Sequence, residues 1–72
     1  MAVVKVIEIL AQSPNGWEDA AQEGLKEVSR TVEGIQSIYV RDLQAVVEGG
    51  RITRYRLNAK ISFIVRDEKR EK

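Results

Sequence analysis

The chain of 72 residues contains no cysteine and no histidine. Without thiols it can hold neither a disulfide nor a thiolate metal site, and without imidazole any bound metal would have to sit among carboxylates. The same two absences remove the commonest nucleophile and the commonest general base. Ser13, Ser29, Ser37 and Ser62 have no activating base close to them in sequence, so no enzymatic activity is expected. No segment approaches the roughly 20 apolar residues of a membrane span, and the N-terminus lacks the basic, then apolar, then small-residue layout of a secretory leader. A cytoplasmic location without a membrane partner is the expectation. Twelve basic residues offset eleven acidic ones to a net charge of +1, which gives no overall field to attract nucleic acid. A domain this short buries only about 60% of the surface its unfolded chain exposes. With disulfides and thiolate metal sites excluded, self-assembly is the remaining source of stability.

What is present divides into four elements. Val3 to Leu10 is a β-branched and aliphatic run interrupted only by Lys5 and Glu8, which reads as a strand with both faces covered. Gln12-Ser13-Pro14-Asn15-Gly16 stops it and starts a helix, with Ser13 or Asn15 as the N-cap. From Trp17 the positions Ala20, Ala21, Gly24, Leu25, Val28, Val32 and Ile35 keep helical spacing, which predicts a helix over about 15–33 that ends at Gly34. Its small residues would let the backbone lie close to a sheet.

The remainder reads as a hairpin. On its second strand Thr53, Tyr55, Leu57, Ala59, Ile61, Phe63 and Val65 share one face, and Arg54, Arg56, Asn58, Lys60 and Ser62 share the other. Taking Tyr39, Leu43, Ala45 and Val47 as the core set of the partner strand makes odd positions pair with odd. That parity requires a three-residue loop Gly49-Gly50-Arg51, with Val47 opposite Thr53, Leu43 opposite Leu57, Gln44 opposite Arg56, Asp42 opposite Asn58 and Val40 opposite Lys60. The fold class is therefore α+β: a βαββ unit whose three-stranded antiparallel sheet, in order 1-3-2, packs on one helix. Residues 1–65 form a single domain, and 66–72 form an all-charged tail expected to fray.

Strands of about 12 to 14 residues reach about 40 to 45 Å, whereas the helix covers less than about 30 Å. The hairpin must overhang its helix with Ile38, Val46, Val47 and Ile52 uncovered, an arrangement that closed symmetric assembly would resolve. Trp17 reads as a core or interface anchor, and Gly49-Gly50 as a turn. The row Arg54, Arg56 and Lys60, with Arg41 beside it, could hold phosphates or a nucleotide, and more simply is a solvated or intersubunit salt-bridging face. Glu8, Asp42 and Glu48 are candidate ligands for a hard cation such as calcium, if symmetry gathers them.

The order of signals carries a family resemblance. Val4-Lys5-Val6-Ile7-Glu8-Ile9, then Ser13-Pro14, then a helix with Glu18 and Ala20-Ala21, then a hairpin ending Tyr55-Arg56-Leu57-Asn58-Ala59-Lys60-Ile61-Ser62-Phe63 resembles the dodecins over about residues 3–65. The resemblance implies a hollow homododecamer, and in the best-known members flavins stacked in pairs between subunits. It also implies two deciding positions. The flavin-stacking tryptophan corresponds to Ser37, and the glutamine that binds the flavin's polar edge corresponds to Arg56. Tyr39, Arg41 and Gln44 are accessory candidates for contact with a ligand. Loss of the aromatic platform forfeits about 1 to 3 kcal/mol per stacked ring. The Ser13-Pro14-Asn15-Gly16-Trp17-Glu18 segment and the Tyr55-Arg56 pair resemble a branch without that tryptophan, of which one member is described as calcium-binding. The resemblance thus implies a non-catalytic binding or storage shell that lacks a tight flavin site and takes calcium. Sequestration of FMN or riboflavin, and a purely structural assembly, are the alternatives.

Overall fold

The computed structural model describes residues 3–65; the predicted charged tail lies outside the described residues. Strand β1 (Val3–Ser13) is followed by helix α1 (Trp17–Ser29), and then by strands β2 (Ile35–Glu48) and β3 (Arg51–Val65). The sheet has the order β1-β3-β2, and both pairings are antiparallel, as the sequence predicts. The most apolar strand, β3, takes the centre. The helix runs back along β1 and crosses the sheet mainly over β1 and β3.

The core lies between helix and sheet and is small. Ala11, Leu57, Ala59 and Ala20 form its buried centre, and Ile9, Ala21 and Ile38 pack against it. Ile61 is also fully buried. The alanines set the close approach of helix to sheet, and Gly24 sets it further. A Cβ built on Gly24 would come within 2.9 Å of Ile9 Cδ1 and 3.1 Å of Ala11 Cβ.

The helix is shorter than the predicted 15–33. Arg30 closes its last turn, donating its N–H to the Glu27 carbonyl, while the Val28 carbonyl accepts the N–H groups of Thr31 and Val32. Gly34 does not cap the helix. It sits at φ 76° where β2 begins, and its carbonyl accepts the N–H of Ile64 across the sheet. Neither expected residue is the N-cap: that position is Gly16, with no side-chain cap. Ser13 instead ends β1, which extends beyond the predicted Leu10, and serves the turn from the side. Its hydroxyl donates to Asp19 Oδ2 and accepts the N–H of Asn15.

The hairpin register corrects the parity argument. Glu48 pairs with Arg51 and Val47 with Ile52, so the turn is the two-residue Gly49-Gly50, not the three-residue loop. Both glycines have positive φ, 59° and 76°, as the tight turn favoured by strand twist requires. An irregularity after Val47 then shifts the parity, and Gln44 faces Arg56 as predicted. A second one, between Arg41 and Gln44, shifts it back: Arg41 faces Asn58, Val40 faces Ala59 and Tyr39 faces Lys60. The predicted pairs Val47–Thr53, Leu43–Leu57, Asp42–Asn58 and Val40–Lys60 do not form. Ile38 and Val40, not Tyr39, occupy the helix side of β2, and Leu43 and Val47 are exposed. Asp42 absorbs the irregularity in a left-handed conformation at φ 51°.

The overhang is longer than expected, but of its four predicted residues only Val47 and Ile52 are exposed, since Ile38 packs on the core and Val46 is half-buried. A 13-residue helix is about 20 Å long, while β3 at 15 residues reaches about 50 Å. The chain measures 60 × 19 × 13 Å, a plank and not a sphere.

Candidate functional site

The face of the sheet away from the helix carries the candidate residues, ordered in rows by the two registers. From the hairpin end these are Gln12–Arg56–Gln44, Leu10–Asn58–Arg41, Glu8–Lys60–Tyr39 and Val6–Ser62–Ser37, each written β1–β3–β2. Arg54 extends the central column beyond the first row, opposite Val46. The basic column Arg54, Arg56 and Lys60 is thus real, with alternation on β3 as its cause.

Arg56 is the most constrained of these side chains. Its Nε and Nη2 both donate to Gln12 Oε1 at 3.2 Å, and its Nη1 donates to Gln44 Oε1 at 3.5 Å. One guanidinium therefore ties all three strands together. Sequence reasoning expected Gln44 in this row but missed Gln12, because the register of β1 on β3 is set by helix packing and leaves no local signal.

Trp17 acts on the same row from the opposite face. Its indole N–H donates to the Gln44 carbonyl at 3.0 Å, at the irregularity of β2, and its ring meets Tyr55 edge-on at 4.9 Å. Tyr55 precedes Arg56, so the first helical turn contacts the Gln44 backbone on one strand and the ring next to Arg56 on the other. The anchor role predicted for Trp17 is met within the chain.

Ser37 and Arg56, the positions that the resemblance aligns with flavin contacts, do not meet in one subunit. Ser37 shares a short hydroxyl contact of 2.6 Å with Ser62. Ser62 lies six residues from Arg56 along β3, or about 20 Å. Tyr39, 63% exposed, lies on the open face with Ser37 and not in the core where it was expected. The three candidate metal ligands are also dispersed. Glu8 is opposite Lys60, Asp42 pairs with the neighbouring Arg41 at 3.3 Å, and Glu48 pairs with Arg54 at 3.5 Å near the hairpin tip. Among the described residues no group of three carboxylates converges on a metal position.

A groove of about 330 Å³ between α1 and β1 is lined by Ile9, Ala11, Gly24 and Val28, with Gln12, Glu23 and Glu27 at its edges. Among the described residues no helix is long and apolar enough to cross a membrane.

Comparison with known proteins places this architecture. The profile of the Dodecin family matches residues 3–66. Calcium dodecin of Mycobacterium tuberculosis is 37% identical over 67 residues, which span 92% of this chain and 93% of that protein. Among solved structures, the dodecin of Streptomyces davaonensis superposes with a TM-score of 0.87 at 21% identity, covering 92% of this chain and 97% of that one, and so shares the fold. The calcium-chelating antigen calcium dodecin of M. tuberculosis, described with a novel calcium-binding site, superposes with a TM-score of 0.79 at 33% identity, covering 89% and 91%. The order β1-α1-β2-β3, the central β3 and the long hairpin agree with these relatives over nearly the whole described length. On that agreement in sequence and in fold, the chain belongs to the dodecin family.

Proposed function

We propose that the chain is the subunit of a non-catalytic homododecameric binding or storage shell, without a tight flavin site and with calcium held where subunits meet, in the cytoplasm. The observation that carries this reading is the pairing of an uncovered sheet with a substituted ligand face. Val4, Val6 and Leu10 are exposed on β1, as are Leu43, Val47 and Ile52 on the hairpin, and both β1 and β2 are open sheet edges. A plank-shaped chain with so few buried side chains gains most of its remaining burial from copies of itself. On the ligand face a serine hydroxyl stands where a stacking ring is needed. A cation fixed by two amides stands where a neutral amide would read a flavin edge.

Calcium fits the donor set, which is rich in carboxylate oxygen and free of sulfur and imidazole. Glu8, Asp42 and Glu48 lie apart in one subunit, so symmetry mates would have to bring them together. The similarity to calcium dodecin supports the cation.

Native mass spectrometry of the untreated protein tests all parts at once. A dodecamer carrying calcium-sized adducts that a chelator removes is the expected result. A monomer refutes the shell. A dodecamer with flavin-sized adducts and a yellow colour refutes the flavin-free reading and favours flavin sequestration, with the exposed Tyr39 ring as the stacking group. A dodecamer with no adduct, and no calcium uptake on titration, refutes the calcium part and leaves a structural assembly.

A further inference from the structure

Among the described residues, the cations of the open face differ in how their charge is met. Arg41 has Asp42 at 3.3 Å, Arg54 has Glu48 at 3.5 Å, and Lys60 is flanked across the strand by Glu8. Arg56 alone in this set is held by neutral groups, the amide oxygens of Gln12 and Gln44. Two amides fix its orientation without cancelling its charge. A guanidinium has five N–H groups. Three are engaged here, which leaves one on each terminal nitrogen. Two parallel N–H groups in a rigid plane match the oxygens of a phosphate or carboxylate.

A second donor lies beside it. Arg54 is two residues along the same face of β3, about 7 Å away. Its Nε is shut off from solvent and has no hydrogen-bond partner. A buried donor without a partner is an unmet hydrogen-bonding demand, which a small shift of the side chain toward a bound oxyanion would meet. On the other side of Arg56 the neighbours on the central strand are Asn58 and Lys60, so no acid interrupts the column from Arg54 to Lys60.

We propose that the Arg54–Arg56 pair forms a phosphate-binding site on the open sheet face, with Arg56 as the preset anchor and Gln12 and Gln44 as its positioning residues. The ligand class is a phosphate oxyanion, either free inorganic phosphate or the terminal phosphate of a nucleotide. The inference goes beyond the proposed shell and concerns groups within one subunit, so it stands whatever the number of subunits.

The test is a calorimetric titration of the untreated oligomer, desalted and chelated, with inorganic phosphate and separately with AMP. Saturable binding of one or both is expected. Tighter binding of AMP identifies the nucleotide as the source, and equal binding identifies the phosphate group alone. Arg56→Gln, which keeps a shorter hydrogen-bonding side chain and loses the charge, should weaken binding at least tenfold, and Arg54→Gln severalfold. Native mass spectrometry of each variant shows whether the assembly persists. If Arg56→Gln dissociates, the double variant Gln12→Ala with Gln44→Ala, which keeps every charge, decides: a fall of threefold or more supports the site, and unchanged affinity overturns it. Absence of saturable binding to the wild-type dodecamer overturns the phosphate site and leaves the shell intact. A wild-type monomer that binds phosphate does the reverse.

Discussion

On the helix side of the sheet the rows Ile9–Ala59–Val40 and Ile7–Ile61–Ile38 are aliphatic throughout. On the other side Leu10–Asn58–Arg41 and Glu8–Lys60–Tyr39 mix aliphatic, charged and aromatic groups on the same three strands. One backbone presents both, yet only the first face is finished within a single chain. Side chains such as Leu57, 1% exposed, have their packing partners, whereas Leu10 on the adjoining strand is 62% exposed. The helix face is a core in the ordinary sense, governed by volume. The open face has fixed polar geometry at one end and unused apolar surface at the other, which is the character of an interface awaiting a partner.

Substitutions divide along the same line. Leu57→Ala empties the best-buried position on the helix face and should cost about 2 to 5 kcal/mol, read as a lowered denaturation midpoint. A cost under about 1 kcal/mol would mean that the helix face is not the main core. Leu10→Asp should leave the secondary structure of the chain unchanged but abolish assembly, since burying a leucine contributes about 1.5 to 3 kcal/mol per subunit. Unchanged subunit number by native mass spectrometry would show that the open face is solvent-facing in the oligomer. Trp17→Phe keeps the ring against Tyr55 and removes the donor to the Gln44 carbonyl. It should cost about 1 kcal/mol and loosen exchange protection in β2 around Gln44, as seen by amide hydrogen exchange. Arg30→Ala breaks only an exposed pair with Glu27 on the helix surface, and should shift stability by less than about 0.5 kcal/mol. A larger shift in chemical denaturation would show that the helix surface, too, meets another subunit.

Much of the fold was legible because alternation and helical spacing are local. The odd face of β3, the small-residue stripe of α1 and the length mismatch between helix and hairpin follow from residues within one element. The register of β2 was not legible. A parity argument assumes an unbroken ladder, and two of the three irregularities in this one fall among the predicted pairs and reverse it twice. Nothing in Arg41-Asp42-Leu43-Gln44 marks a break, since neither glycine nor proline is there, and Asp42 takes the left-handed conformation that aspartate tolerates better than most residues. The Gln44–Arg56 pairing survived because it lies between the irregularities.

The candidate site divides in the same manner. The basic column was legible because it depends on residue identity and strand parity, whereas Ser37 and Arg56 were singled out by family resemblance alone. The sequence could not place Gln12 beside Arg56, or show that Ser37 and Arg56 lie far apart in one chain. The first depends on how β1 docks on β3, and the second on the register of β2 against β3.

By itself, then, the sequence determined element types, the helix-facing side of the central strand, the absence of thiol and imidazole chemistry, and the need for partners. These follow from composition and from periodicities of 2 and 3.6 residues, which every neighbouring residue repeats. Tertiary structure alone decided where β2 breaks step, that Trp17 holds the Gln44 carbonyl at that break, and that Gln12 and Gln44 fix one guanidinium from both sides. Each of these joins residues distant in sequence, through a balance of packing and hydrogen bonding that no local pattern encodes.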